Sequence, residues 1–366
     1  MLNVGSALLD LPFDAHPDPG EFIRAAMEWH FSPETGSRFW VERAGSLEFD
    51  PRTDVRGPDD LARFPNVTDE LREVRAADLI PRGYGERPDI VGVFESGGTT
   101  GPPKRVVILA DWWQRNIAWH CAYLDARGLP HDVDWLVLLP SGPHMAGEVF
   151  RSQAASLGGR GFTIDMDPRW VKKLLAGGKH EEADAYADHL IDQAAFLLRT
   201  QDIGVLACTP PLLERLARRD ELVGLVCDKV HAIQWAGAHM DADTRALLRT
   251  EVFPGVQVIG SYGSTMILGG SVERPGLTDD DPCIFDPYSP YVSFWVVDPD
   301  SGRRVGYGER GQVVMHHVSK SFLLPNNLER DVATRVRPPE GQLGDSVADV
   351  TPVAQFGGET VIEGVY

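Results

Sequence analysis

Cysteine is scarce: four occur in 366 residues, Cys121, Cys208, Cys227 and Cys283, and none stands in a CxxC pair or beside histidines at zinc-ligand spacing. A disulfide scaffold and a zinc module are thereby excluded, and reduced thiols in a cytoplasmic protein are expected. Long apolar runs are missing too. No stretch approaches 18 apolar residues, and residues 1–20 have neither a basic n-region nor an apolar h-region, so neither a membrane span nor a secretory leader is expected. Positive charge is also short: 35 Lys and Arg face 54 Asp and Glu, a net charge of −19 at pH 7. Such a field repels phosphate backbones and anionic lipid, which argues against nucleic-acid and membrane partners and leaves solubility as its plain use. There is no internal repeat and no low-complexity linker.

What is present is a folding chain. Hydrophobic residues at 43% and charged residues at 24% sit at globular averages, and the length allows two domains or one lobed domain. Residues 1–85, rich in Pro, Gly and Asp, read as an irregular lead-in packed on the core, with short helical pieces at 21–30 and 58–63. From Ile90 the pattern is strand, loop, helix, repeated, which predicts an α/β fold with a parallel sheet. Strands are expected at 90–94, 106–109, 135–139, 203–208 and 230–235. Helices are expected after Asp111 and Asp241 as N-caps, after Thr209 with proline next, and along the stripe Ala183, Ala187, Leu190, Ile191, Ala194 and Leu198. After Tyr288 the pattern turns to antiparallel hairpin, around the D-P-D-S-G turn at 298–302. The expected division is residues 1–85, then 86–286 as α/β nucleotide- and acid-binding lobes, then 287–366 as a β-rich lobe.

The segment with the clearest chemistry is Glu95 to Val106, E-S-G-G-T-T-G-P-P-K-R-V, between two apolar strands. Gly97, Gly98 and Gly101 let backbone approach an anion closely, Ser96, Thr99 and Thr100 add hydroxyl donors, and Lys104 adds a point charge. Polyphosphate binding is the matching use. A Walker A loop is ruled out, because Pro102 and Pro103 stand where that pattern needs glycine and lysine.

S-G-G-T-T-G-P-P-K resembles the phosphate loop of the adenylate-forming superfamily of acyl-CoA synthetases, luciferases and adenylation domains. Further echoes follow in order. Ala236 to Met240, A-G-A-H-M, resembles the adenine-side loop; S-Y-G-S-T-M at 261–266 resembles the Y-G-x-T-E motif. G-E-R-G-Q-V at 308–313 and L-G-D at 343–345 resemble two later motifs. The lead-in D-D-L-A-R-F-P-N-V-T-D-E-L, residues 59–71, is similar to phenylacetate-CoA ligases, and the nearest likeness is to the shortened adenylating proteins of phenazine antibiotic biosynthesis. The resemblance implies an adenylate-forming core of two α/β sheet lobes and a small β-rich lobe. It implies ATP held by the loop and by Gly237, Ala238, Ser261, Tyr262 and Gly263, with Tyr262 on the purine, Thr265 on the α-phosphate and Asp345 on the ribose hydroxyls. Lys104 and Thr265 would carry the reaction.

Two departures stand out. Met266 occupies the place of a glutamate that would bind Mg2+, and a thioether is no ligand for that hard cation. The hinge-like Gln355 to Tyr366 lacks the family's Arg/Asp pair and the sequence ends there, so the small lid domain with its lysine is not expected. For an aromatic acid, the candidate pocket residues are His144, Met145 and Gly147, with Trp235, Met266 and Gly269. The expected reaction is attack of the acid's carboxylate on the α-phosphate of ATP, giving acyl adenylate and pyrophosphate, with Mg2+ on the phosphates and a biosynthetic enzyme consuming the product. The alternatives are an aryl-CoA or amide ligase, and a binding protein that has lost catalysis.

Overall fold

The computed structural model describes residues 7–96, 102–278 and 281–353, and the backbone of 355–356 and 359–360. The lead-in is more regular than its punctuation implied. Helices α1 (Pro19–Phe31), α2 (Arg38–Ala44) and α3 (Pro51–Asp54) begin at Asp18, Ser37 and Asp50, each of whose side chains accepts a first-turn backbone N–H, and two carry proline in the first turn. Phe22, Ile23, Ala26 and Met27 on α1 are buried, and Phe31, Trp40 and Phe64 form an aromatic cluster with centroids 5.5–5.9 Å apart. The segment docks through Trp29 Nε1 on the Lys320 carbonyl (2.8 Å) and Trp40 Nε1 on the Leu323 carbonyl (2.9 Å).

Strands β1 (Ile90–Glu95) and β2 (Arg105–Leu109) pair antiparallel, so the glycine-rich segment joins a two-stranded hairpin rather than a βαβ unit. Helix α4 (Ala110–Ala126) follows directly, capped at Leu109 without a side-chain bond, so Asp111 is not its cap; Asp111 instead accepts from the Tyr84 hydroxyl.

Next come β3 (Asp134–Leu138), α5 (Met145–Ser156), β4 (Gly161–Thr163), α6 (Pro168–Ala176), α7 (His180–Thr200), β5 (Ile203–Cys208), α8 (Pro210–Ala217), α9 (Asp220–Lys229), β6 (Ala232–Trp235), α10 (Ala242–Leu247) and β7 (Gln257–Ser264). Strands β3 to β7 pair in parallel, and β3, β5 and β6 are buried along their whole length, as a sheet covered on both faces requires. Thr209 sits at the N-terminus of α8 before two prolines, and Asp241 caps α10 through the Thr244 N–H at 2.8 Å.

Antiparallel pairing sets in earlier than Tyr288. After β7 the chain makes a 3-10 turn at Thr265–Ile267, passes Leu268 in the left-handed region (φ 50°) and returns as β8 (Gly269–Glu273) against β7. The close return needs glycine: a Cβ on Gly263 would lie 2.5 Å from the Gly269 carbonyl oxygen. Then follow β9 (Ile284–Pro287), β10 (Val292–Val297), β11 (Arg310–Val318), β12 (Leu323–Val336) and β13 (Ser346–Pro352). Eleven strands form one sheet in the order β10-β11-β12-β13-β9-β8-β7-β6-β5-β3-β4, and β9 straddles residue 286, so the sheet runs through the expected boundary. The short strands β14 (Gln355–Phe356) and β15 (Glu359–Thr360) pair with each other. The rest of the hinge-like segment lies outside the described residues. Among the described residues no helix is long and apolar enough to cross a membrane.

Candidate active site

Cys208, Trp235 and Gly260 stand in register across β5, β6 and β7, so the carboxyl ends of the parallel strands open on one line. A cavity of about 380 Å3 lies there. It is lined by Leu139 and Pro140 after β3, by Trp235 to Met240 after β6, and by Ser261 to Met266 at the end of β7. Crevices at the carboxyl ends of an open α/β sheet are where such folds bind ligands.

Part of the cavity lining is polar and charged. Ser96 and Lys104 close the base of the glycine-rich segment: the Ser96 N–H donates to the Lys104 carbonyl (2.9 Å), and the Lys104 N–H donates to Ser96 Oγ (3.0 Å). Gly97, Gly98, Thr99, Thr100 and Gly101 lie outside the described residues. Lys104 Nζ pairs with Asp69 at 3.1 Å, and its hydrogen bond holds that carboxyl below its usual range. Arg72 also reaches Asp69 (3.3 Å) and donates to the Pro102 carbonyl, so the 3-10 turn Thr68–Arg72 grips the exit of the segment. On the other side Arg169 bonds Glu95 (2.6 Å). Burial pushes the Glu95 carboxyl up, but the bonds from Arg169 and Arg105 outweigh it and leave it lowered. Lys172 is pushed down to about 7 by burial, then by Arg330 and Arg169.

Gly237, Ala238, Ser261, Tyr262, Gly263 and Thr265 all line the cavity. The Tyr262 ring is wedged between Phe285 (5.8 Å) and Phe294 (5.7 Å), and its hydroxyl donates to Asp331 Oδ2 at 2.9 Å. Asp331 and Glu329, both on β12, also line the cavity. Glu329 accepts from Asn327 Nδ2 (2.7 Å) and Ser264; burial first, and Asp331 second, raise its carboxyl above the usual range.

The apolar part of the lining comprises Met145, Val149, Phe150, Trp235, Met266 and Phe285. His144, Met145, Trp235, Met266 and Gly269 are all found in the cavity lining. Burial lowers the His144 imidazole, with Arg169 adding to it. Helix α4 contributes Asn116 and His120 and helix α5 contributes Gln153, three polar side chains at most 8% exposed.

Two expected site residues do not line this cavity. Asp345 is 1% exposed, pairs with Arg335 Nε at 2.8 Å and accepts from the Val296 N–H at 3.3 Å. Its L-G-D string is a turn: Gly344 has φ 80°, and a Cβ there would lie 2.7 Å from the Phe294 carbonyl oxygen. The carboxylate facing the cavity beside Tyr262 is Asp331. Gly147 donates its N–H to the Pro140 carbonyl (3.0 Å) and a Cβ would lie 2.6 Å from that oxygen, so it lets α5 pack on the strand exit.

Sequence reading missed Asp331, Glu329, Asn116, His120 and Gln153. The signals were faint. E-R-D interrupts an otherwise unremarkable strand, and Asn116 and His120 stand one place before Ile117 and Cys121, on the flank of the apolar stripe of α4.

No known family matches the chain, and no curated protein does. Solved structures do. An open conformation of a 2-hydroxyisobutyryl-CoA ligase in complex with 2-HIB-AMP and CoA superposes with a TM-score of 0.64 at 16% identity, covering 94% of this chain and 77% of that one. The same ligase in complex with 2-HIB-AMP and CoA in the thioesterification state gives 0.64 at 17% identity, covering 91% and 67%. In the postadenylation state with 2-HIB-AMP it gives 0.62 at 17%, covering 90% and 66%, so the chain spans about two thirds of that protein's length. The likeness establishes the fold.

Proposed function

We propose that this chain activates an aromatic carboxylic acid with ATP, forming acyl-AMP and pyrophosphate. The observation that carries the reading is the cavity itself: at the carboxyl ends of the parallel strands, one space is lined both by charged and polar groups suited to a nucleoside triphosphate and by apolar, aromatic side chains suited to an acid. In that reading Asp331 accepts the ribose hydroxyls, Tyr262 and the Gly237–Ala238 backbone flank the adenine, and Lys104 leaves Asp69 for the phosphates. The acid's carboxylate oxygen attacks the α-phosphorus; a new C(O)O–P bond forms as the bond to the bridging oxygen of the β-phosphate breaks, and pyrophosphate leaves. Lys104 and the Thr265 hydroxyl stabilise charge on the phosphoryl oxygens, the term that dominates such transfers.

Among the described residues no cluster of three His, Cys, Asp or Glu suits a metal, and Mg2+ in such reactions is held largely by phosphates and water. Glu329 fits as the protein ligand that Met266 cannot be: it is a half-buried carboxyl in the cavity lining, raised above its usual range, that an adjacent cation would return to the ionised state. When bound, Mg2+ would neutralise charge on the departing pyrophosphate.

Phenazine carboxylic acids belong among the candidates, with a role in secondary metabolism. An acyl adenylate is a mixed anhydride open to water, which favours a partner enzyme that carries a thiol, an amine or a hydride to it. ATP–pyrophosphate exchange with a panel of aromatic acids is the test. Exchange that depends on the acid supports adenylation; tight acid and nucleotide binding without exchange would overturn it in favour of a binding protein.

A further inference from the structure

Buried polar atoms in folded proteins almost always have partners. Four buried atoms of residues that line this one cavity have none: Nδ2 and Oδ1 of Asn116, Oε1 of Gln153 and Nε1 of Trp235. Their side chains are 0%, 1% and 4% exposed. Helices α4 and α5 pack together, with Trp113 Nε1 donating to Ser152 Oγ at 3.3 Å, and they bring Asn116 and Gln153 to the same cavity. Gly269 leaves Asn116 room, since a Cβ there would come to 3.4 Å from Asn116 Oδ1. The orphaned donors and acceptors belong to three elements, α4, α5 and β6, that meet in one space.

We propose that the acid bound here carries uncharged hydrogen-bonding groups, at least one donor and one acceptor, on its ring, and that Asn116, Gln153 and Trp235 read them. The inference rests on the adenylation reading for the identity of the cavity's occupant. A ring hydroxyl, amine or ring nitrogen supplies what these atoms lack: an acceptor for Asn116 Nδ2 and Trp235 Nε1, and a donor for Asn116 Oδ1 and Gln153 Oε1. A charged substituent is disfavoured. The cation that lines this cavity near β8, Arg245, is 2% exposed and spoken for by Glu273 (3.4 Å) and the Asp281 carbonyl. Glu273 is in turn held by Arg249 (2.6 Å) and the Gly260 N–H (2.7 Å). His120, beside Asn116 on the same face, is kept neutral by burial, with its pKa lowered to about 4. A site built on hydrogen bonds rejects the analogue that lacks them far more strongly than an apolar pocket rejects a larger or smaller hydrocarbon.

The test is a matched panel: benzoate and naphthoate against the same rings bearing a hydroxyl, an amine or a ring nitrogen, and against the corresponding dicarboxylates. Both ATP–pyrophosphate exchange and calorimetric binding with a non-hydrolysable ATP analogue are measured for the parent, Asn116→Leu and Gln153→Leu. The expected result is a preference of about 100-fold for heteroatom-bearing over plain acids in the parent, cut about tenfold by each variant, with plain acids bound no worse. The unliganded Asn116→Leu variant is expected to melt at or above the parent temperature, because it removes a buried amide neither of whose polar atoms has a partner. A parent that prefers plain acids or dicarboxylates overturns the inference. So do variants that lose affinity for all acids alike, an Asn116→Leu variant that melts well below the parent, or the absence of binding by any acid. If exchange is absent but the binding preference and its loss persist, adenylation has failed and this inference has not.

Discussion

Two sets of residues in the cavity lining satisfy their polar groups in opposite ways. In the first, Lys104 is paired with Asp69, Glu95 with Arg169 and Arg105, and Tyr262 with Asp331. In the second, Asn116, Gln153 and Trp235 keep polar atoms without partners in the protein. Asp69 is 84% exposed, so its pair with Lys104 is a rim ion pair of about 0–1 kcal/mol that a phosphate displaces at little cost. An orphaned interior amide costs about 1–3 kcal/mol until a ligand completes it. On the proposed reading the difference locates selectivity: the nucleotide would be met by groups that rest in exchangeable pairs, and the acid by groups that only it completes.

The comparison breaks first, and by the largest amount, if Asp345 and Asp331 have been exchanged in role. Asp345→Ala takes a buried carboxylate from part-buried Arg335 and from the Val296 N–H, and is expected to lower stability by about 3 kcal/mol while leaving the folded protein's KM for ATP unchanged. Asp331→Ala is expected to lower kcat/KM for ATP by roughly 10- to 100-fold, equivalent to a lost charge-assisted bond of about 1.5–3 kcal/mol, with little effect on acid preference. Urea denaturation beside exchange kinetics reads both; the opposite pattern would return the ribose to Asp345.

A pH series tests the buried part of the lining next. His120 is neutral in the fold, with its pKa lowered from 6.5 to about 4 by burial, so between those values the unfolded chain binds the extra proton. Its contribution is fully present above pH 6.5 and is lost as pH falls toward 4, up to about 3 kcal/mol. His120→Gln should flatten the stability profile in that window, measured by denaturation at pH 7, 6, 5 and 4.5. An unchanged slope would mean that the other buried histidines, His30, His316 and His317, carry the acid sensitivity alone.

The smallest structural effect is expected at the rim. Lys104→Ala should reduce ATP use about tenfold yet move the unfolding free energy by no more than about 0.5 kcal/mol. A large loss of stability there would place the pair among the structural ones.

The legible parts of this site are those where a ligand is met by contiguous backbone. S-G-G-T-T-G, G-A and S-Y-G-S-T are strings whose spacing is local, and those of their residues that are described line the cavity. The strands read well for the same reason: buried runs such as Ile203–Cys208 have no other reading as good. Asp331 was hidden because its position depends on β12 pairing with β11 and β13 and reaching Tyr262, 69 residues away in sequence. L-G-D drew attention in its place, since a left-handed glycine before an aspartate looks alike whether the turn holds a ribose or an arginine. Asn116 and Gln153 were hidden for the converse reason. Nothing in the periodicity of a helix distinguishes a polar residue facing solvent from one facing a cavity.

The docking of the lead-in carries a consequence for how the protein is made. The partners of Trp29, His30 and Trp40 are the carbonyls of Lys320, Ser319 and Leu323, and the first of these contacts spans 291 residues of sequence. At ribosomal rates of about 5–20 residues per second, the aromatic face of α1 and α2 waits roughly 15–60 s for the β11–β12 turn to be synthesised. For that interval the nascent chain displays the Phe31, Trp40 and Phe64 cluster without the strand that later caps it. Translation speed and chaperone occupancy are thereby expected to bear on folding yield, because synthesis halted before Ser319 leaves α1 and α2 without the carbonyls on which they dock.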